Sequence, residues 1–281
     1  VTTDITLKVA LKLRSDIIKN YYRDIKSLRR RLTFKNIESI VIDLESRLYL
    51  SINNLNEIPQ ISLKELKKQL YNVREILISE HKSLFLDQLD DLINKVNIFG
   101  YHFASLDIRQ DSRIHNKAFE SVFKIAQKMH ITDFKKDYTK LSEIEKIKIL
   151  SNLKGDIPLD SFNEDLVIST LGSIRAMKLI QKSNGEKGSN RYIISNNRSA
   201  INILEVFSMF KLSNWNLPSV DIVPLFETVS DLTVAAQVMQ TVYSNSFYRK
   251  HLSRRGDQQT IMLGFSDGTK DGGYLMANWS I

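Results

Sequence analysis

The stretch 260–281, TIMLGFSDGTKDGGYLMANWSI, constrains the fold of this chain more than any other, because its character changes twice within a short span. Residues 260–265 are an apolar run that reads as a buried strand. Residues 266–273 gather acid, base and glycine in a tight loop, and Tyr274 onward has helical spacing. In parallel α/β sheets and barrels, reactive groups collect at the C-terminal ends of strands, which is where Asp267 and Lys270 fall. The other reading of the loop is a plain strand-to-helix turn with a solvated Asp and Lys. A second stretch, 221–228 (DIVPLFET), also ends an apolar run in an acid, Glu227. Two acids at two strand ends could converge on one cation. Each also precedes a helix, where it could simply accept backbone N–H bonds as a cap.

The front of the chain has a different texture. Over 4–32, Ile5, Val9, Leu13, Ile17 and Tyr21 recur every four residues and predict one long amphipathic helix. A second helix is expected over 34–50 and a break over 53–59. Ser62, with Glu65 at capping-box spacing, starts a third helix through Leu66, Leu70, Val73 and Leu77. A fourth covers 84–97, so residues 1–98 read as a helical region. From 99 to 281 strands enter, near 101, 191, 220 and 260, each followed by helix; the helix after the third is expected over 231–243 with Ser230 as its cap. The first strand, 101–108, runs into Arg109-Gln110-Asp111. A guanidinium at a strand end offers a planar fork for phosphate or carboxylate; the alternative is a local ion pair with Asp107 or Asp111. His102 and His115 match no metal-ligand spacing and are read as structural, and His81, near a helix end, is read as solvated or dipole-associated with no function assigned.

Composition narrows the partners. With no cysteine, neither a disulfide framework nor a thiolate metal site is possible. No run reaches the length of a membrane span and no charged-then-apolar leader precedes the first helix, so a cytoplasmic protein with no membrane partner is expected. The net charge of +8, from 40 Lys and Arg against 32 Asp and Glu, suits anionic ligands. Its densest cluster, Arg29-Arg30-Arg31, is diluted by acids and lacks interleaved aromatics, which reads as a solvated helix face without nucleic acid. The chain starts at Val1 and stops at Ile281 inside an expected helix, and so reads as a piece of a longer polypeptide.

Three stretches in order, LDIRQD (106–111), VPLFET (223–228) and MLGFSDGTKDGG (262–273), resemble markers of the phosphoenolpyruvate carboxylase family. The resemblance covers about 99–281, and 247–249 (FYR) adds a weaker likeness to the family's WYR. It implies a (β/α)8 barrel swollen by extra helices, so the expected class is mainly α with α/β: a helix-rich, partial TIM-type barrel with about half of the barrel strands. It implies a lyase that forms oxaloacetate and phosphate from phosphoenolpyruvate and bicarbonate with Mg²⁺ or Mn²⁺, in a homotetrameric parent. By the same resemblance Glu227 and Asp267 bind the metal, Arg109 and Lys270 are catalytic, and Arg109, Met262 and Gly264 contact substrate. The loop departs from the family at Gly268, where SDSxK has serine, and at Gly272-Gly273, where the family has Ala-Gly; Asn196 departs from a third element, from which no site residue is carried over. The family's histidine motif, its glycine-arginine loop and its effector site are not found here, so the fragment alone is expected to be inactive. Two other classes remain open from the residues alone: a catalytically silent helical scaffold, whose carboxylates are caps and surface charges, and a basic nucleic-acid-binding module.

Overall fold

The computed structural model describes residues 3–53 and 57–281; the middle of the expected break at 53–59 lies outside them. The chain divides into two compact units, Asp4–Leu106 with Leu179–Ser189, and Asp107–Lys178 with Asn190–Ile281.

The helical unit is built on α1 (Thr3–Arg29), α2 (Glu38–Asn53), α3 (Leu63–Glu80) and α4 (Leu86–Phe99). Its core gathers Ile18, Tyr21, Leu44, Leu48, Leu70, Leu77, Leu89 and Val96. Full burial of each such aliphatic side chain contributes roughly 1.5–3 kcal/mol. The every-four stripe expected on α1 holds only in its second half. Val9 is exposed, and burial instead steps through Ala10, Arg14, Ile17, Ile18, Tyr21, Ile25 and Leu28. Four residues advance more than one helical turn, so a strict four-step stripe rotates off the core face, whereas alternating threes and fours stay on it. The expected cap on α3 forms by half. Ser62 Oγ accepts the Glu65 N–H at 3.2 Å, but the Glu65 carboxylate is taken by Arg47 at 2.8 and 3.0 Å.

The sheet unit alternates β1 (Ile108–Asp111), α5 (Ser112–Lys128), α6 (Glu143–Asn152), α7 (Asp165–Asn184, counted here as far as Lys178), β2 (Arg191–Ser195), α8 (Ala200–Leu212), β3 (Asp221–Phe226), α9 (Val229–Ser244), α10 (Ser246–Arg254), β4 (Met262–Leu263) and α11 (Phe265–Ser280). The four strands pair in sequence order and all in parallel. Among the described residues they form an open sheet with β1 and β4 at its edges, not a closed barrel. Side chains alternate between the faces. Ile108, Tyr192, Ile194, Ile222 and Phe226 face the main core with Phe119, Phe123, Phe207 and Phe210. The other face carries Ile193, Val223 and Leu225, with Arg109 in register with Ile193 and Val223.

Four local expectations are corrected. Residues 101–107 are not strand: Gly100 turns at φ 50°, the Phe103 N–H bonds back to the Phe99 carbonyl, and the Tyr101 hydroxyl donates to the Ile61 carbonyl at 2.9 Å, tying the segment to the end of α4 and the start of α3. The last strand is two residues long and exposed rather than a buried run over 260–265, and Phe265 already begins α11. The loop expected at 266–273 is therefore helical up to Gly273, whose φ of 80° and ψ of 165° break α11 in a conformation that glycine tolerates. Finally, α9 is capped by Thr228 rather than Ser230. Thr228 Oγ1 accepts the Asp231 N–H and the Asp231 carboxylate accepts the Thr228 N–H, both at 3.1 Å, a complete capping box. No described helix is long and apolar enough to cross a membrane.

Candidate active site

The capping box decides what Glu227 is free to do. With Thr228 and Asp231 satisfying each other at the start of α9, Glu227 is not needed as a cap, and its carboxylate turns to the C-terminal rim of the sheet. There Arg109 Nη2 donates to Oε1 at 2.8 Å and the backbone N–H of Asn196 donates to Oε2 at 2.8 Å. Neither local ion pair considered for Arg109 forms: Asp111 is engaged by Arg113 at 2.7 Å and Asp107 lies 3.6 Å from Arg191. Instead Arg109 reaches a partner 118 residues away, so β1 and β3 meet in charge across the strand between them. The Glu227 side chain is 19% exposed and that of Arg109 53%. Half-solvated, the pair contributes about 0.2–1 kcal/mol of stability; its weight lies in placing the two groups.

The third participant is main chain. Asn196 sits just after β2 with φ 52°, a left-handed conformation that Asn adopts more readily than most residues. Its carbonyl accepts from Ser112 Oγ at 2.6 Å, and the next amide, Asn197 N–H, bonds the Leu225 carbonyl at 3.3 Å. The loop after β2 is thus fastened to the start of α5 on one side and to β3 on the other. Behind the sheet, His115 Nε2 and the Tyr192 hydroxyl share a hydrogen bond of 3.0 Å, and burial lowers the imidazole to about 3, leaving it neutral. His115 is fully buried there. Beside the same rim a cleft of about 900 Å³ is lined by Asp111, Arg113, Lys117, Asn196, Arg198 and Asn202, among others.

The β4–α11 segment presents its groups differently. The Gly264 N–H donates to the Phe226 carbonyl at 2.8 Å, and a Cβ on Gly264 would stand 2.9 Å from Glu227 Cα. The close approach that glycine permits here is to the backbone of β3's end. Asp267 lies in the first turn of α11, where no side chain caps the helix, and pairs with Lys270 at 3.5 Å; the two side chains are 56% and 74% exposed. Met262 stands at the exposed sheet edge, in register with Leu225. The structure therefore makes two pairs of the four charged candidates, Arg109 with Glu227 and Asp267 with Lys270. Among the described residues no group of three or more His, Asp or Glu is placed to hold a metal ion. Two carboxylates do satisfy a hard cation that completes its shell with substrate oxygens and water.

Residues 53–281 match the sequence model of phosphoenolpyruvate carboxylase. The chain belongs to the phosphoenolpyruvate carboxylase family. It is 38% identical over 205 residues to the phosphoenolpyruvate carboxylase of Corynebacterium diphtheriae, which covers 69% of this chain and 22% of that protein. The carboxylase of Nitrosomonas eutropha is 36% identical over 73% of this chain and 23% of its own length. That of Prochlorococcus marinus strain AS9601 is 32% identical over 81% and 24%. This chain spans about a quarter of the length of these curated relatives. The family match starts at residue 53, far ahead of the 99 at which motif reading places the resemblance.

Sequence reasoning missed two groups at this site. The Asn196 amide has no side-chain signature, and the residue type there departs from the carboxylase pattern. Asp271 Oδ2 accepts the Val229 N–H at 3.0 Å, a bond that only the fold brings together.

Proposed function

We propose that this chain carries the metal- and phosphate-binding half of a phosphoenolpyruvate carboxylase site within a longer polypeptide. The observation that carries the reading is the Arg109–Glu227 pair, in which two separately recognised stretches meet at 2.8 Å on one rim of the sheet. In the reaction, the phosphoryl group of phosphoenolpyruvate passes to bicarbonate, giving carboxyphosphate and the enolate of pyruvate. Carboxyphosphate then releases carbon dioxide and phosphate, and the enolate attacks the carbon dioxide to form oxaloacetate.

Carboxyphosphate and the enolate are both anionic, so the chain's task is to supply fixed positive charge. The Arg109 fork matches two phosphate oxygens. Because Glu227 Oε1 now accepts from one arm of that fork, substrate binding exchanges one oxyanion partner for another and releases that oxygen. Glu227 and Asp267 would hold Mg²⁺ or Mn²⁺, which when bound neutralises charge on substrate oxygens. Lys270, on the same helical turn as Asp267, brings a compact ammonium to a substrate oxygen, and Met262 and Gly264 line the approach. The open four-stranded sheet is read as part of a (β/α)8 barrel. Exposed apolar side chains on α11, with Leu275 at 83% and Trp279 at 88%, support that reading because such a surface calls for cover. The fragment alone is inactive on this reading, and the complete enzyme is a cytoplasmic homotetramer.

The test is oxaloacetate formation by the full-length polypeptide that carries this chain, with Glu227→Ala and Asp267→Ala beside it. Each variant should stay folded and lose roughly 10²–10³-fold in kcat. A folded but inactive parent would leave the motifs as scaffold and reject the proposal.

A further inference from the structure

We propose that Asp271 is a positioning residue, which holds the Asp267–Lys270 turn of α11 against the Glu227 strand end by bonding the first amide of α9. This inference rests on the metal reading above. The first amides of a helix have no intrahelical acceptor and need one from elsewhere. At the start of α9 they are shared out: the Asp231 N–H goes to Thr228 Oγ1, and the Val229 N–H goes to Asp271 Oδ2 at 3.0 Å, across 42 residues of sequence. A carboxylate at this end of the helix also meets the positive pole of the helix dipole.

Two glycine contacts show that the bond closes an already tight seam. A Cβ on Gly264 would stand 2.9 Å from Glu227 Cα, and one on Gly272 would stand 2.7 Å from Val229 Cγ2. Gly264, Asp271 and Gly272 therefore bracket the turn that carries Asp267 and Lys270, on both sides in sequence, and each touches the corner 226–229. Among the described residues the Asp267 side chain pairs with Lys270 alone. Its distance from Glu227 is set by these neighbours, and Asp271 is the one whose contribution is a single removable bond.

The experiment uses the full-length polypeptide with Asp271→Ala and Asp271→Asn, the latter keeping an acceptor oxygen. Mn²⁺ affinity is read by electron paramagnetic resonance, and hydrogen exchange is followed in peptides covering 226–231 and 264–272. Asp271→Ala should weaken Mn²⁺ binding roughly tenfold, in the range for groups that orient metal ligands, and should speed exchange in both peptides. Asp271→Asn should restore most of both, while the unfolding midpoints of the two variants stay alike. Unchanged Mn²⁺ affinity in Asp271→Ala, or no rescue by Asn, overturns the proposal. If the parent itself binds no Mn²⁺, the metal reading fails, and positioning is judged by exchange: faster exchange in both peptides with rescue by Asn upholds it, and unchanged exchange overturns it.

Discussion

The two acids proposed to hold a metal, Glu227 after β3 and Asp267 in the first turn of α11, are built in opposite ways. Glu227 is held before any ligand arrives, by a guanidinium from β1 and an amide from the loop after β2, with its backbone pressed by Gly264. Asp267 rides on an exposed helical turn, and among the described residues it pairs with its own neighbour Lys270. The difference teaches that a pair of matching motifs does not imply a pair of matching environments. One half of the site is preorganised, and the other owes its position to the seam that docks it.

The contrast can be broken most forcefully at Glu227. Glu227→Ala takes the acceptor from two donors at once, and the Asn196 amide left without its partner costs about 1–3 kcal/mol of stability. Chemical denaturation of the variant should show that loss in addition to the loss of activity. The next effect comes from behind the preorganised half. Glu205 is fully buried on α8, accepts from Tyr138 and Asn116, and is pushed by desolvation from 4.5 up to about 7. Its proton is held more tightly in the folded than in the unfolded chain. Stability is therefore fully present below about 4.5 and falls as pH rises to about 7, by at most about 3 kcal/mol. Denaturation midpoints across that window should flatten in Glu205→Gln.

A comparable effect on stability is expected at Gly264→Ala. The new methyl must push the backbone of Glu227 away, at about 1–3 kcal/mol, and it should shift the Arg109–Glu227 contact in a crystal structure of the variant. The smallest is Asp267→Asn, which should leave stability within about 0.5 kcal/mol because its side chain is solvated. A loss there as large as at Glu227 would erase the contrast between the two halves.

Much of the sheet unit was legible in the sequence, for physical reasons that can be named. The strand over Arg191–Ser195 and the helix after it were placed closely because both faces of that strand are buried and a capping residue follows. The charged candidates were found because polar groups at the ends of apolar runs are conspicuous. Their pairing was not, since the local ion pairs of Arg109 looked as good on paper as the one with Glu227, 118 residues away. The strand expected over 101–108 failed because loose alternation is also what a turn shows when Tyr101 is buried and Phe103 is exposed. The shortness of β4 was hidden for a related reason: an apolar run signals burial by something, and at Met262 and Leu263 the described residues leave the surface open. The helix over Ser246–Arg254 went unread because one extended residue, Asn245, both ends α9 and caps the next helix, so no loop separates the two.

The donor from position 196 to Glu227 belongs to the main chain, so every residue except proline brings it. What the position filters is the ability to sit at φ 52°. A saturation scan there should consequently rank substitutions by tolerance of left-handed backbone, with Gly and Asp near the top and Val and Ile at the bottom. Polarity and size would matter little. A site of this kind drifts in its letters while keeping its chemistry, and a search that scores side chains alone passes over it.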